Sequence, residues 1–309
     1  MKDRVNIVFM GTPEFAVPIL EKVHSELGIC AVVTVPDKLQ GRGLKLQQSA
    51  VSIKATELGL PILKPEKLKD EDFISELRKF EPDIILVVAF RILPEEVFSL
   101  AKIGTFNIHA SLLPRLRGAA PINWAIINGE KKTGLTTFLI DKKVDTGNLL
   151  LKEEFELPEH FTAGDLHDYM MPIAAELGVR TCELLISGKY EPKQQADSLA
   201  TPAPKIFPEQ AEIVWNNNSS EVRRFIHGFS PFPGARTKFE GRMMKILRVS
   251  DSDAIGIDSG EFKIGTGEFL VGCKDGTLCV QELQLEGKKA MKIMDFLNGY
   301  RGVKSGKIG

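Results

Sequence analysis

The chain has 309 residues, enough for two domains at about 100–200 residues each. Hydrophobic residues make up 43% and charged residues 26%, the composition of an ordinary soluble globular protein. With 40 Lys+Arg against 41 Asp+Glu the net charge is −1, so total charge gives no sign of nucleic-acid binding, although one face can be basic in a neutral chain. The charge is divided unevenly: residues 1–204 carry 24 basic and 28 acidic side chains, and residues 205–309 carry 16 and 13, which makes the C-terminal part mildly basic. Cys30, Cys182, Cys273 and Cys279 are scattered without a CxxC pair, against metal ligation or a disulfide framework and in keeping with a reduced cytosol. The apolar run after Met1-Lys2-Asp3-Arg4 is too short for a signal peptide and far below the ~18 residues of a membrane span, so a cytoplasmic location without membrane contact is expected.

In chain order, apolar runs predict strands near residues 5–10, 29–35, 83–89, 104–110 and 135–141. Amphipathic stretches predict helices over 14–27, 49–58 and 70–80, and a longer one over 162–187. Continuously apolar strands separated by helices predict an α/β, doubly wound domain with a mostly parallel sheet over residues 1–189. Prolines 192, 202, 204 and 208 then mark an extended linker over 190–207. Residues 208–309 read as one short helix near 222–229 and short strands broken at Gly241, Gly256, Gly260, Gly265, Gly267 and Gly276, the pattern of a small β-barrel. In open α/β sheets ligands bind beyond the carboxyl ends of the strands, which directs attention to the residues that follow them.

Asn107 and His109 stand two apart on the strand near 104–110, so their side chains leave one face, and a Gly/Pro-rich loop follows them. Taken alone, both are as well read as side chains bonding to neighbouring loops. Asp145-Thr146-Gly147 follows another apolar strand. By itself it is a turn or an aspartic-protease fragment, and the protease reading requires two copies in an all-β chain. Gly11-Thr12-Pro13 is no dinucleotide loop, because GxGxxG is absent and Pro13 interrupts it. His24, His160, His167 and His227 have no partner pattern and read as structural, and Trp124 and Trp215 read as packing residues.

Taken together these segments resemble the methionyl-tRNA formyltransferase family, within the folate-dependent formyltransferases. The matching residues are Phe9-Met10-Gly11-Thr12-Pro13-Glu14-Phe15-Ala16, Pro36-Asp37-Lys38 with Gly41-Arg42-Gly43, Asn107-Ile108-His109-Ala110-Ser111-Leu112-Leu113-Pro114 and Arg117-Gly118-Ala119-Ala120-Pro121-Ile122. They continue with Asp145-Thr146-Gly147, Ala203-Pro204-Lys205-Ile206, Gly228-Phe229-Ser230-Pro231-Phe232-Pro233-Gly234-Ala235 and Gly287-Lys288-Lys289-Ala290-Met291. The motif around Asn107 is common to all folate-dependent formyltransferases of this fold, whereas the C-terminal motifs are narrower.

The resemblance implies a formyltransferase domain joined to an OB-like C-terminal barrel, 10-formyltetrahydrofolate as co-substrate with no permanently bound cofactor or metal, and methionyl initiator tRNA as acceptor and partner. It implies catalytic roles for Asn107, His109 and Asp145, a folate-binding turn at Ser111, Leu112, Leu113 and Pro114, and tRNA contacts from Lys38, Arg42, Lys45 and Lys205. The loop over 36–48 would engage the acceptor end of the tRNA, the basic C-terminal domain would offer a second surface, and a monomer is expected. The residue types suit the chemistry. An amide N–H at Asn107 can stabilise an oxyanion, and an imidazole at His109 can exchange protons near neutral pH or act as a second oxyanion donor. A carboxylate at Asp145 can orient the imidazole and favour its protonated form.

Two positions depart from the family pattern. Lys143-Val144 replaces Gly-Leu before Asp-Thr-Gly, and lysine at 143 excludes the easy positive φ of glycine there. Pro202 replaces a tyrosine that many members carry. The competing readings are a relative with a small-molecule acceptor (glycinamide ribonucleotide or a nucleotide sugar), a formyl-folate hydrolase, and a non-catalytic tRNA-binding protein. The C-terminal barrel argues against the first two and the intact triad against the third.

Overall fold

The computed structural model describes residues 5–40 and 45–309. It divides into two compact units, one of Met1–Gly118, Thr133–Phe155 and His167–Pro202, the other of Ala119–Lys132, Glu156–Leu166 and Ala203–Gly309. Two stretches expected inside the N-terminal domain thus group with the second unit, and much of the expected linker groups with the first.

The first unit begins with β1 (Ile7–Gly11), α1 (Val17–Leu27) and β2 (Ala31–Val33). A ribbon of β3 (Lys38–Gln40) and β4 (Lys45–Gln47) follows, then α2 (Ala50–Glu57), β5 (Ile62–Leu63), α3 (Glu71–Arg78), β6 (Ile84–Val88), α4 (Glu95–Phe98) and β7 (Gly104–His109). After α5 (Pro121–Ile127) come β8 (Lys132–Leu139), β9 (Leu149–Glu156) and α6 (Ala163–Ser187). The sheet order is β5-β2-β1-β6-β7-β8-β9. Pairing is parallel from β5 through β7 and antiparallel between β7 and β8.

Local chemistry sets several of these boundaries. Ser49 caps α2 by accepting the Ser52 N–H at 3.0 Å, and Asp70 caps α3 by accepting those of Asp72 and Phe73. Every residue of β1, β2 and β6 is buried, as expected for parallel strands covered on both faces. One side of the core is built from Val8, Met10, Val33, Ile85 and Val87 against Phe73, Leu77 and Val97. The strand order reverses between β1 and β6, so a ligand crevice is expected at the carboxyl ends near this switch.

The sequence suggested a plain loop over 36–48; instead Lys38↔Gln47, Leu39↔Leu46 and Gln40↔Lys45 pair as a separate two-stranded sheet. At its base Lys64 Nζ meets both Asp37 carboxylate oxygens at 2.7 and 2.9 Å, and this bond holds the Asp37 carboxyl below its ordinary pKa.

The second unit contains α7 (Ser219–Phe229), β10 (Ala235–Phe239), β11 (Arg242–Ser252), β12 (Glu261–Ile264), β13 (Phe269–Gly272), β14 (Thr277–Leu285), β15 (Met291–Lys292), α8 (Ile293–Gly299) and β16 (Ser305–Lys307). Its antiparallel strands run β10-β11-β14-β13-β12-β16, with β15 beside β14, in an OB-like arrangement. Phe239, Phe262, Phe269 and Phe296 fill the core. Helix α5 joins this unit by packing on α7. Asn123 Nδ2 donates to the Gly228 carbonyl at 2.8 Å, and a Cβ at 228 would lie 2.4 Å from Ile127, so glycine permits the close approach. Arg248 Nη2 donates to both Asp165 carboxylate oxygens, at 2.9 and 2.6 Å. Among the described residues no helix is long and apolar enough to cross a membrane.

His227 is 2% exposed, with Nε2 against the Val249 main chain. Burial, with the Arg248 cation nearby, lowers its pKa from 6.5 to about 4. The unfolded chain therefore binds a proton that the folded chain refuses between pH 6.5 and about 4. Stability is full above that window and falls as pH drops through it, by about 3 kcal/mol. Urea unfolding across this range should show the loss in the wild type and a shallower slope in His227→Gln. Equal slopes would show that His227 does not titrate this way.

Candidate active site

Strand β7 ends at the carboxyl edge of the sheet with Asn107 and His109, the first paired between Val87 and Phe138 and the second opposite Thr136. Asn107 is partly exposed, and its side-chain amide makes no hydrogen bond among the described residues. His109 is 6% exposed, and its Nε2 donates to the Leu116 carbonyl at 2.8 Å. In the neutral ring that bond leaves the lone pair on Nδ1, which faces Asp145 Oδ2 at 3.9 Å. This separation is too long for a hydrogen bond. The imidazole is therefore oriented by a main-chain carbonyl, and the carboxylate expected to orient it makes no hydrogen bond to it.

The Asp145 carboxylate accepts the Gly118 N–H at 2.8 Å. In its turn Lys143 stays out of the left-handed region. Asp141 Oδ1 accepts from the Lys143 N–H and the Thr146 hydroxyl, each at 2.9 Å, and the left-handed residue is Asp145 itself, at φ +55°. Aspartate tolerates that region better than most non-glycine residues. Gly147 fits because a Cβ there would lie 1.7 Å from the Leu139 carbonyl oxygen. The tip of the turn is exposed, with Lys142 paired to Glu95 at 3.0 Å.

The residues after β7 form a second braced turn. Ser111 Oγ donates to the Arg115 carbonyl at 2.6 Å, and Thr136 Oγ1 donates to the Ser111 carbonyl at 2.7 Å and accepts the Leu113 N–H at 3.1 Å. Lys152 Nζ reaches the Leu113 carbonyl at 2.5 Å. Ser111 and Leu113 are buried and hold the turn, whereas Leu112 and Pro114 are partly exposed and available to a ligand. Leu116 has φ +59°, and its N–H donates to Thr201 Oγ1 at 2.9 Å.

The structure thus brings Asn107, His109, Ser111–Pro114 and Asp145 into the first unit around the end of β7. Lys38 is exposed at the start of the ribbon and Lys45 lies on its return strand, while Arg42 lies outside the described residues. Lys205 belongs to the second unit, exposed, with its ammonium 5.3 Å from the Phe207 ring centroid. Sequence reasoning missed four contributors: the Leu116 carbonyl, the Gly118 N–H, Thr136 and Gln195. Gln195 lies in the polar, proline-flanked stretch assigned to a linker, yet it is only 7% exposed. A hydroxyl at 136 within an apolar strand was the only one of these signals open to a sequence reader.

Residues 4–180 match the family model described as formyl transferase, and residues 205–301 match that of the formyl transferase C-terminal domain. The chain is 42% identical over 310 residues to a methionyl-tRNA formyltransferase of Geobacter sulfurreducens, covering 99% of this chain and 98% of that protein. It is 43% identical over 300 residues to a methionyl-tRNA formyltransferase of Caldanaerobacter subterraneus, covering 96% and 97%. Among solved structures, HypX from Aquifex aeolicus in complex with tetrahydrofolic acid superposes with a TM-score of 0.66 at 17% identity, over 96% of this chain and 47% of that longer one.

Proposed function

This chain belongs to the formyl transferase family, and from that premise we propose that it transfers the formyl group of 10-formyltetrahydrofolate to the amino group of methionyl initiator tRNA. It is an enzyme, a formyltransferase of methionyl-tRNA, whose product serves translation initiation. The observation that carries this reading is the identity of 42% across both domains with a relative of that activity, C-terminal module included. A folate donor is supported by the tetrahydrofolic acid held by the Aquifex aeolicus protein of the same fold.

In this reading the methionine amine attacks the formyl carbon, a C–N bond forms, negative charge collects on the formyl oxygen, and the bond to folate N10 then breaks. Asn107, whose amide has no other hydrogen bond among the described residues, donates to that oxygen. His109 takes the amine proton on Nδ1 and returns a proton to N10, with Nε2 held on the Leu116 carbonyl. Asp145, 3.9 Å from Nδ1, stabilises the imidazolium between those two transfers. Leu112 and Pro114 contact the folate, with Ser111 and Leu113 shaping the turn beneath. Arg42, Lys38 and Lys45 contact the acceptor end of the tRNA and Lys205 a backbone phosphate, partners that cationic side chains suit.

Incubation with 10-formyltetrahydrofolate and charged initiator or elongator tRNA tests the reading. Formyl-methionyl-tRNA should accumulate from the initiator species and far less from the elongator. Formylation of a small amine or nucleotide sugar, with neither tRNA modified, would transfer the assignment to the small-molecule branch of the family.

A further inference from the structure

We propose that Gln195 is a positioning residue for formyl transfer, holding the Asp145 turn and the Leu116–Arg117 turn in register around His109. The proposal rests on the roles assigned above to His109 and Asp145.

The side-chain amide of Gln195 uses its full capacity. Nε2 donates to the carbonyls of Asp145 at 2.9 Å and Gly147 at 2.8 Å, and Oε1 accepts from Arg117 Nε at 3.1 Å and Nη2 at 2.7 Å. These partners lie in the two segments that face the two nitrogens of His109. Leu116, immediately before Arg117, takes the Nε2–H, and Asp145 faces Nδ1. Both segments carry a residue in the left-handed region, Leu116 at φ +59° and Asp145 at φ +55°. Such conformations persist only where surrounding bonds enforce them. Asp145 has two of these bonds, from Gly118 N–H to its carboxylate and from Gln195 to its carbonyl. Among the described residues the Arg117 side chain has one further partner, Asp197, whose side chain is 81% exposed, so its buried anchor is Gln195. The consequence is specific: loss of the amide should displace Asp145 relative to Nδ1 without touching the surface that binds either substrate.

Two substitutions separate this from a general loss of packing. Gln195→Glu keeps the shape and the acceptors for Arg117 but removes both N–H donors to the Asp145 and Gly147 carbonyls. Gln195→Met keeps the bulk and removes every polar bond. Both should melt as folded proteins, and kcat should fall at least about 10-fold with KM for both substrates within about threefold, as a displacement near 1 Å near the chemistry would produce. The imidazole nitrogen resonances of His109, assigned by their loss in His109→Gln, should also move in both variants. His109 resonances that coincide with wild type in Gln195→Glu would overturn the proposal, and so would a kcat unchanged per folded molecule. A wild-type protein that formylates no methionyl-tRNA would count instead against the function, and the resonances would still decide the positioning role.

Discussion

His109→Ala is expected to lower kcat/KM by at least about 100-fold, the scale of losing a positioned acid–base group. The ring is 6% exposed and, among the described residues, its only close polar partner is the Leu116 carbonyl, with Asp145 at 3.9 Å, so it is held in one orientation with Nδ1 left for proton exchange. Alanine leaves the Leu116 carbonyl without its donor, and the stability cost should be about 1–3 kcal/mol. The experiment therefore pairs turnover with binding of a folate analogue and of methionyl-tRNA, both of which should persist. Turnover near the wild-type rate would remove His109 from the mechanism, and turnover lost together with both binding steps would make it a structural residue.

Asn107→Ala should cost about 100- to 1000-fold in kcat, the range for removing one donor to a developing oxyanion. Here the expectation on stability differs. Asn107 is partly exposed and its amide makes no bond among the described residues, so the unfolding free energy should change by no more than about 0.5 kcal/mol. A large kinetic loss in an equally stable protein, with KM little altered, marks an interaction formed in the transition state. A fall confined to KM would assign Asn107 to ground-state binding.

Much of this was legible in the sequence, and the exceptions have physical causes. Strands β1 and β6 announce themselves because burial on both faces demands continuous apolar runs. Strand β9 does not, because Lys152, Glu154 and Glu156 put charge on its exposed face, and it lies at the edge of the sheet. Helix α8 was hidden behind a lysine-rich stretch, and Ile293 and Phe296, with Leu297 beside them, seat it on the core. Asn107, His109 and Asp145 could be named as candidates from the sequence because the chemistry proposed for them resides in side chains. The turn at Lys143 was half legible: lysine excluded the expected glycine geometry, but that the left-handed step falls on Asp145 required the bonds from Asp141. Gln195 looked like linker because composition reports solvation on average, and it is a single buried amide among exposed neighbours.

The acceptor that fixes the tautomer of His109 is the carbonyl of Leu116. Every amino acid carries that group, so no codon specifies it. What heredity can write at this point is only the twist that aims it: a left-handed step at 116 and the hydroxyl of Thr201 that accepts the N–H of the same residue. The proton inventory of the site is therefore stored partly as backbone shape. A relative could exchange the residue at 116 and keep the bond, or keep every side chain of the triad and lose it by straightening one turn.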